Sequence, residues 1–482
     1  MVAHESPEYH VAFPGLCVTA DGELFCVFRQ GLTHAADTGG DGRLVAMKSS
    51  DEGASWTEPW VIANDPGYDD RNSGAETGHD GRIAVCWDKY LPVPEVETHF
   101  GAYLALSEDG GKTFGPAITL GHIENVHTRS RPLWVDESHI MVPISKSSDD
   151  LDAASYVVHV DLASGEQEMV AISPPGDRGP DDETAVVRNT DGRLIALIRH
   201  RAEPYLLQSQ SDDGGYTWAE LRVSEIPSQF TPCDLIRTGD GSLVCSFSFR
   251  QRRNERLVVS RDGGASWDVE NSVDVFAATP GIGDRSYPAT VQMPSGNLGT
   301  VLYETEAHPS GGRIYFVTNT TEQFGAPHEA CLYADGREQP AFIEMAAPEG
   351  AGWEISARYR FTGSFGVRPH KIGWRVITAD NSLDLNYFMG TPRTTWEDMP
   401  QGSEVLLHSG DETRVIRRES VESTYCDGRE HELKLVAGGG EYALAIDGEI
   451  LARMRIPGAI AKLQLRTEQA AAAVYGLAAG GR

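Results

Sequence analysis

Short apolar runs rich in β-branched and aromatic residues, each entered through a tight polar turn, recur six times in the first two thirds of the chain. Asp21-Gly22 precedes Leu24 to Phe28, Asp80-Gly81 precedes Ile83 to Trp87, and Asp136-Glu137 precedes Ile140 to Ile144. Asp191-Gly192 precedes Leu194 to Ile198, Asp240-Gly241 precedes Leu243 to Phe247, and Ser295-Gly296 precedes Leu298 to Tyr303. Runs of this kind bounded by Asp and Gly read as strands leaving hairpin turns.

A second turn pattern is interleaved with the first. Ser-x-Asp-x-Gly-x-Ser/Thr-Trp/Phe occurs at Ser49 to Trp56, Ser107 to Phe114, Ser211 to Trp218 and Ser260 to Trp267, with a decayed copy near Asp161 to Gly165. Its aspartates stand at 51, 109, 213 and 262, giving a period of ~50 residues with one interval doubled, a spacing typical of propellers. Each repeat reads as strand A, the Asp-Gly turn, strand B, a variable loop, strand C, the box turn and strand D. That is a four-stranded antiparallel blade, and six of them predict an all-β six-bladed propeller over residues 1–330. The box is structural: Asp and Ser/Thr bond turn backbone, Gly takes positive φ, and the aromatic packs between sheets. Alternation puts the A–B and C–D turns on one face, so function is expected on the other, at strand-A starts and B–C loops.

From about Leu332 the boxes cease and longer alternating strands follow, such as Trp353 to Phe361, Glu432 to Val436 and the hairpin Tyr442 to Leu451. This predicts a β-sandwich (jelly-roll) domain over residues 331–482, similar to concanavalin or laminin-G modules.

The chain of 482 residues carries 41 Lys+Arg against 71 Asp+Glu, a net charge of −30 that opposes non-specific binding to nucleic acid or anionic membrane. Met1 to Pro7 lacks the basic start and apolar run of a signal peptide, which predicts a cytoplasmic protein or one exported with a leader outside this sequence. Seven cysteines without CxxC spacing argue against a disulfide framework or zinc site. Cys17 with Cys26, and Cys233 with Cys245, flank equivalent turns where a cross-strand bridge would fit, although small buried strand residues explain them better. No cofactor motif is visible, and a structural calcium held by backbone carbonyls would leave none. Homo-oligomerisation is left open.

Residues just past each B run should share one location. They are Arg29, Lys89, Lys146, Arg199 with His200 and Arg201, Arg250 with Arg252 and Arg253, and Glu304. Single basic residues often cap strand ends, but repetition at one register in an acidic chain predicts an anion-binding funnel. Strand-A starts are expected to add His10, Glu76, Arg131, Glu183 and the segment Gly283 to Pro288, which holds Arg285 and Tyr287. The first B–C loop, Arg29 to Asp41, holds His34 and two acids, Asp37 and Asp41; His127 joins the histidines within reach.

The boxes, the six-repeat register and these residues resemble the sialidase superfamily of glycoside hydrolases over roughly residues 5 to 325. Asp182 to Val187 with Arg199 is similar to the segment bearing that family's glutamate and second carboxylate-binding arginine, and Arg252 to Leu257 to the segment bearing the third. Tyr287 matches the nucleophilic tyrosine and Asp37 the acid/base. One position departs: Tyr9 to Leu16 matches the Arg-Ile-Pro start, but Ala12 stands where arginine is expected, with His10 the nearest polar residue on the same strand face. The resemblance implies a sialidase-like hydrolase that removes an acidic terminal sugar, of sialic- or uronic-acid type, from an oligo- or polysaccharide. A tyrosine nucleophile suits an anomeric carbon bearing a carboxylate, which would repel a carboxylate nucleophile.

Two other readings use the same residues. In a polysaccharide lyase, arginines would neutralise a uronate while Tyr287 or one of His10, His34, His127 and His200 moves the α-proton. A glycan-binding propeller without turnover is the third.

Overall fold

The computed structural model describes the chain except residues 35–41, 94–95, 122–125, 147–153, 174–180, 201–204, 229–230, 250–253, 270, 278–283, 306–310, 325–331, 336–340, 347, 349, 351, 365–369, 390–400, 410–411, 421–430, 456–458, 469 and 482. Two compact units are present: residues 1–268 with 272–325, and residues 269–271 with 326–482.

The first unit holds six antiparallel sheets. The first sheet runs His10–Val18, Leu24–Gly31, Arg43–Ser49, Trp60–Ala63, and the second Asp69–Thr77, Ile83–Val93, Val96–Ser107, Ile118–Leu120. The third has a divided opening strand, Val126–His127 and Leu133–Trp134, followed by His139–Lys146, Ala154–Asp161 and Gln167–Ala171. Asp181–Arg188, Leu194–His200, Leu207–Ser211 and Arg222–Val223 form the fourth; Cys233–Arg237, Leu243–Phe249, Asn254–Ser260 and Val273–Ala277 form the fifth. The sixth takes Asp284–Gln292, Leu298–Thr305 and Gly312–Asn319, and its outer strand is Val2–Ser6 from the beginning of the chain.

All six predicted A–B turns close in the same way, with a backbone N–H bonded to the carbonyl four residues on: Thr19 to Glu23, Gly78 to Arg82, Val135 to His139, Asn189 to Arg193, Thr238 to Ser242 and Met293 to Asn297. Opening strands of successive sheets lie side by side, and His10–Val18 packs against both Asp69–Thr77 and Asp284–Gln292. Gly74 is required by that closeness, since a Cβ there would lie 2.2 Å from the Ser130 carbonyl oxygen. Apolar residues of neighbouring sheets fill the seams, as where Phe25, Val27 and Leu44 meet Ala75, Val85 and Trp87.

The boxes are turn devices. In the third of them, Asp213 accepts from Thr217 N at 2.9 Å and Thr217 Oγ1 at 2.6 Å, while Ser211 Oγ accepts from Gly215 N at 2.9 Å. These bonds hold the Asp213 carboxyl well below the usual range. Gly53 of the first box has φ +88, and any Cβ there would meet the Phe316 ring of the sixth sheet at 2.1 Å. Boxes also meet A–B turns: Asn189 Nδ2 donates to Gly263 O at 3.4 Å, and Ser295 N to Glu52 Oε1 at 2.8 Å. The two turn sets therefore share a face. The decayed copy keeps its core, with Asp161 accepting from Ala163 N at 2.8 Å and Ser164 N at 2.9 Å.

The second unit contains two six-stranded antiparallel sheets, one including Gly352–Ser364, His431–Gly438 and Glu441–Ile446, the other His370–Thr378, Ser382–Met389 and Ile460–Glu468. Trp353, Ile355, Tyr359, Leu433 and Leu435 of one pack with Trp374, Leu385, Tyr387 and Leu465 of the other. The polar face of the second sheet carries a buried charge cluster in which Asp384 accepts from Arg375 Nε at 2.5 Å and lies 2.9 Å from His408 Nε2.

Cys17, Cys26, Cys233 and Cys245 are buried free thiols, and burial pushes Cys17 up to about 12. Among the described residues no helix is long and apolar enough to cross a membrane, and no group of three His, Cys, Asp or Glu could hold a metal ion.

Candidate functional site

The opening strands are not regular where they enter the sheets. In three of them the pairing register slips over two residues: between Ala12 and Gly15, between Arg71 and Gly74, and between Ser286 and Ala289. Each slip contains a residue in the left-handed region, Phe13 at φ 56, Asn72 at φ 53 and Tyr287 at φ 54, with Ser286 before it at φ 108. The fourth sheet slips between Asp181 and Thr184, around Glu183. Bulges bend a strand and re-aim side chains. Left-handed conformations at non-glycine residues cost of order 1–3 kcal/mol each and gather at functional sites.

Tyr287 is the centre of what these bulges assemble. Its ring meets Phe13 edge-on at 5.0 Å and lies 6.0 Å from Tyr303. The Arg129 guanidinium covers the ring at 4.9 Å and donates through Nη2 to Pro288 O at 3.0 Å, which fixes the tyrosine's own backbone. Arg199 Nη1 reaches the Tyr287 hydroxyl at 3.5 Å and also bonds the Glu183 carboxylate. One guanidinium nitrogen thus joins glutamate and phenol across sheets four and six. Ser286 Oγ shares a close contact with Ser248 Oγ, which also bonds Glu255.

The first and second sheets supply a charged wall. Arg29 is fully buried, donating from Nε to Asp69 Oδ1 at 2.7 Å and from Nη2 to Asp69 Oδ2 at 2.9 Å, with His10 Nδ1 3.1 Å from Nη1. The His10 ring in turn meets the His34 ring at 5.2 Å. Burial opposes ionisation of Asp69, but Arg29 and Arg71 prevail and hold its carboxyl below the usual range. Arg71 lies over the rings of Phe13 and Tyr90, at 5.0 and 5.2 Å.

The predicted residues divide accordingly. Tyr287, Glu183, Arg199, His10, His34 and Arg29 gather at the bulged strand starts, while Arg285 is buried in register with Glu304 and His127 is buried in register with Ser145. Lys89 is drawn aside into an ion pair with Asp65 at 2.8 Å, its ammonium 4.2 Å from the Tyr103 ring centroid. Asp37, Arg201, Arg250, Arg252 and Arg253 lie outside the described residues. Two expectations are corrected in position. Glu76 stands at the far end of Asp69–Thr77 instead of its start, and Arg131 bonds it at 2.8 Å while clasping Asp234 at 3.1 and 2.7 Å. Both line a cavity of about 510 Å³ with Val18, Thr77, Thr238 and Gln292, on the side of the A–B turns. In the second sheet the opening strand begins seven residues before Glu76 and carries a one-residue bulge, and in the third Arg131 falls between the two pieces of the divided opening strand. Arg71 and Arg129, which stand nearer the strand starts than Glu76 and Arg131, carry no signal in strict alternation, and the sequence around them offers no shared motif that could have found them.

Repeated antiparallel sheets thus bring a tyrosine, a glutamate and arginines together at their strand starts. Residues 91–300 match the BNR repeat-like domain model. A sialidase of Micromonospora viridifaciens is 24% identical over 338 residues, 62% of this chain and 50% of that protein, so the chain spans half the length of this relative. Among solved structures, a Dyadobacter fermentans protein of unknown function superposes with a TM-score of 0.58 at 18% identity, covering 66% of this chain and 97% of the other. Trypanosoma rangeli sialidase, solved as a covalent intermediate with 2,3-difluorosialic acid, covers 98% of this chain and 91% of its own at a TM-score of 0.50 and 10% identity. At these identities the likeness is one of fold.

Proposed function

We propose that the protein is a sialidase-like glycoside hydrolase, a six-bladed propeller followed by a jelly-roll domain, that removes an acidic terminal sugar from a glycan. The observation that carries this reading is the junction of Glu183 and the Tyr287 hydroxyl through Arg199 Nη1, at a strained bulge. Tyr287 oxygen attacks the anomeric carbon, its proton passes to Glu183, and the leaving oxygen takes a proton from Asp37. Water then cleaves the tyrosyl–sugar bond, with Asp37 as base and Glu183 returning the proton to the phenol. Arg129 and Arg199 offset the negative charge that develops on the phenol oxygen.

The test follows reducing-sugar release from sialylated and uronate-bearing oligosaccharides together with ultraviolet absorbance of unsaturated uronate. Hydrolysis gives release alone. Tyr287→Phe is expected to abolish turnover and keep binding, and near-normal activity would remove Tyr287 from the mechanism. The paired rings of His10 and His34 favour a second reading, β-elimination beside a uronate, for which release and absorbance rise together.

A further inference from the structure

Arg71 is 7% exposed, its Nε is out of contact with solvent, and among the described residues its guanidinium makes no hydrogen bond. Its nearest acid, Asp69, is 3.7 Å away, and both oxygens of that carboxylate are already taken by Arg29. The other neighbours are the faces of Phe13 and Tyr90, which attract a cation but accept no N–H bond in the plane of the fork, and Asp88, its register partner, which acts on it electrostatically without a hydrogen bond. Buried polar groups are nearly always satisfied, and a guanidinium has five donors to satisfy. Here they are held open by construction.

The surroundings show what the fork is kept for. Arg71 precedes the left-handed residue of the second sheet's bulge, the register held by Ala12 in the first sheet and Ser286 in the sixth. It touches Phe13, which touches Tyr287, so the vacant donors and the phenol share one wall. Arg129, from the third sheet, is 2% exposed on the ring of the same tyrosine and also has an unbonded Nε. Burial would lower the charge-holding power of Arg71, but Asp69, Asp88, Tyr90 and Tyr287 together keep it fully cationic.

We infer that Arg71 is the receptor for the anionic group of the substrate, binding the sugar carboxylate through its open fork beside Tyr287, with Arg129 fixing the phenol against it. This rests on the acidic-sugar reading above and makes that specificity a property of one side chain. A carboxylate supplies the paired acceptors a guanidinium fork lacks here, and an ester or neutral sugar supplies weaker, uncharged ones.

The experiment compares wild type with Arg71→Met and Arg71→Lys, using the methyl glycosides of N-acetylneuraminic acid and glucuronic acid and the methyl ester of each. Calorimetry gives affinity, an activity assay gives kcat/KM on the corresponding oligosaccharides, and melting reports folding. The Met variant is expected to lose on the order of 100-fold on the acid and under about 3-fold on the ester, with Lys between. Its Tm should stay close to that of wild type, because Asp69 keeps both of its bonds from Arg29. Equal losses on acid and ester, or a Tm fall with no change in the acid-to-ester ratio, would overturn the assignment and make Arg71 a brace. If wild type binds an acid without releasing it, the hydrolase reading falls while the calorimetric comparison still decides Arg71. Failure of wild type to bind either acid overturns both.

Discussion

Replacing Arg131 by methionine should unsettle the centre of the first unit without changing how substrate is held. Its guanidinium, 11% exposed, gathers Glu76 of the second sheet, Asp234 of the fifth and the Thr290 carbonyl of the sixth, at 2.8, 2.7 and 2.6 Å. Asp234 also accepts from Thr290 N at 2.7 Å and is 2% exposed. Removing the cation leaves that carboxylate buried and uncompensated, a loss of about 3–5 kcal/mol. For a unit of about 320 residues, unfolding entropy near 2.1 cal/mol/K per residue converts this into roughly a 4–8 °C fall in Tm. Scanning calorimetry of wild type, Arg131→Met, Asp234→Leu and the double variant measures it, and the double variant should lose much less than the two singles combined. The sign with pH is fixed. Burial works against ionisation of Asp234, but Arg131 outweighs it and holds the folded pKa below the ordinary value. The stabilisation is therefore complete above about pH 4 and fades as pH falls through the lower folded value, so the variant's deficit should shrink in acid. An unchanged Tm with a raised KM would refute this reasoning and return Arg131 to the substrate.

Other outcomes follow from particular contacts. Burial raises Asp70 to about 6 despite bonds from Asp65 N and Trp87 Nε1, so the native state binds an extra proton between about pH 4 and 6 and stability should fall as pH rises through that window. The Tm gap between wild type and Asp70→Asn should change across it, and a constant gap would exclude Asp70. Asp213→Ala removes the bonds that shape its turn, so Tm should fall while kcat/KM on the wild-type substrate stays within about 2-fold; a large activity loss would make the box catalytic. Deleting residues 1–6 strips the outer strand from the sixth sheet and exposes the edge of Gly312–Asn319, and light scattering should show concentration-dependent association absent from the full chain.

Much of the architecture was legible because the turns carry their own chemistry. Asp21-Gly22 and its five counterparts mark hairpins through glycine's positive φ or the local bonds of Asp and Ser, and the boxes mark the second turn of each repeat by the same means. The opening strands were harder. Their bulges and breaks leave no regular alternation to count from, so the strand starts were placed at Glu76 and Arg131, whereas Arg71 and Arg129 stand nearer the tyrosine. Glu183 and Tyr287, read from the same strand starts and matched by motif resemblance as well, do stand at the bulges near the starts of their strands. Val2–Ser6 gave no warning at all: it is short and mostly polar, and its pairing partner lies three hundred residues away. The commitment of Arg29 to Asp69 was equally invisible, since basic residues at strand ends look alike until their partners are known.

That remote partner has a consequence for how the molecule is made. Residues Val2–Ser6 are synthesised before the five intervening sheets, yet the strand they pair with, Gly312–Asn319, is among the last parts of the unit to be made. At about 5–20 residues per second, the opening segment waits roughly 15–60 s before its seat exists, while the five intervening sheets accumulate. The unit is therefore fastened across its sixth sheet by a segment made long before that sheet, and its vulnerability during synthesis lies at that unfinished seam.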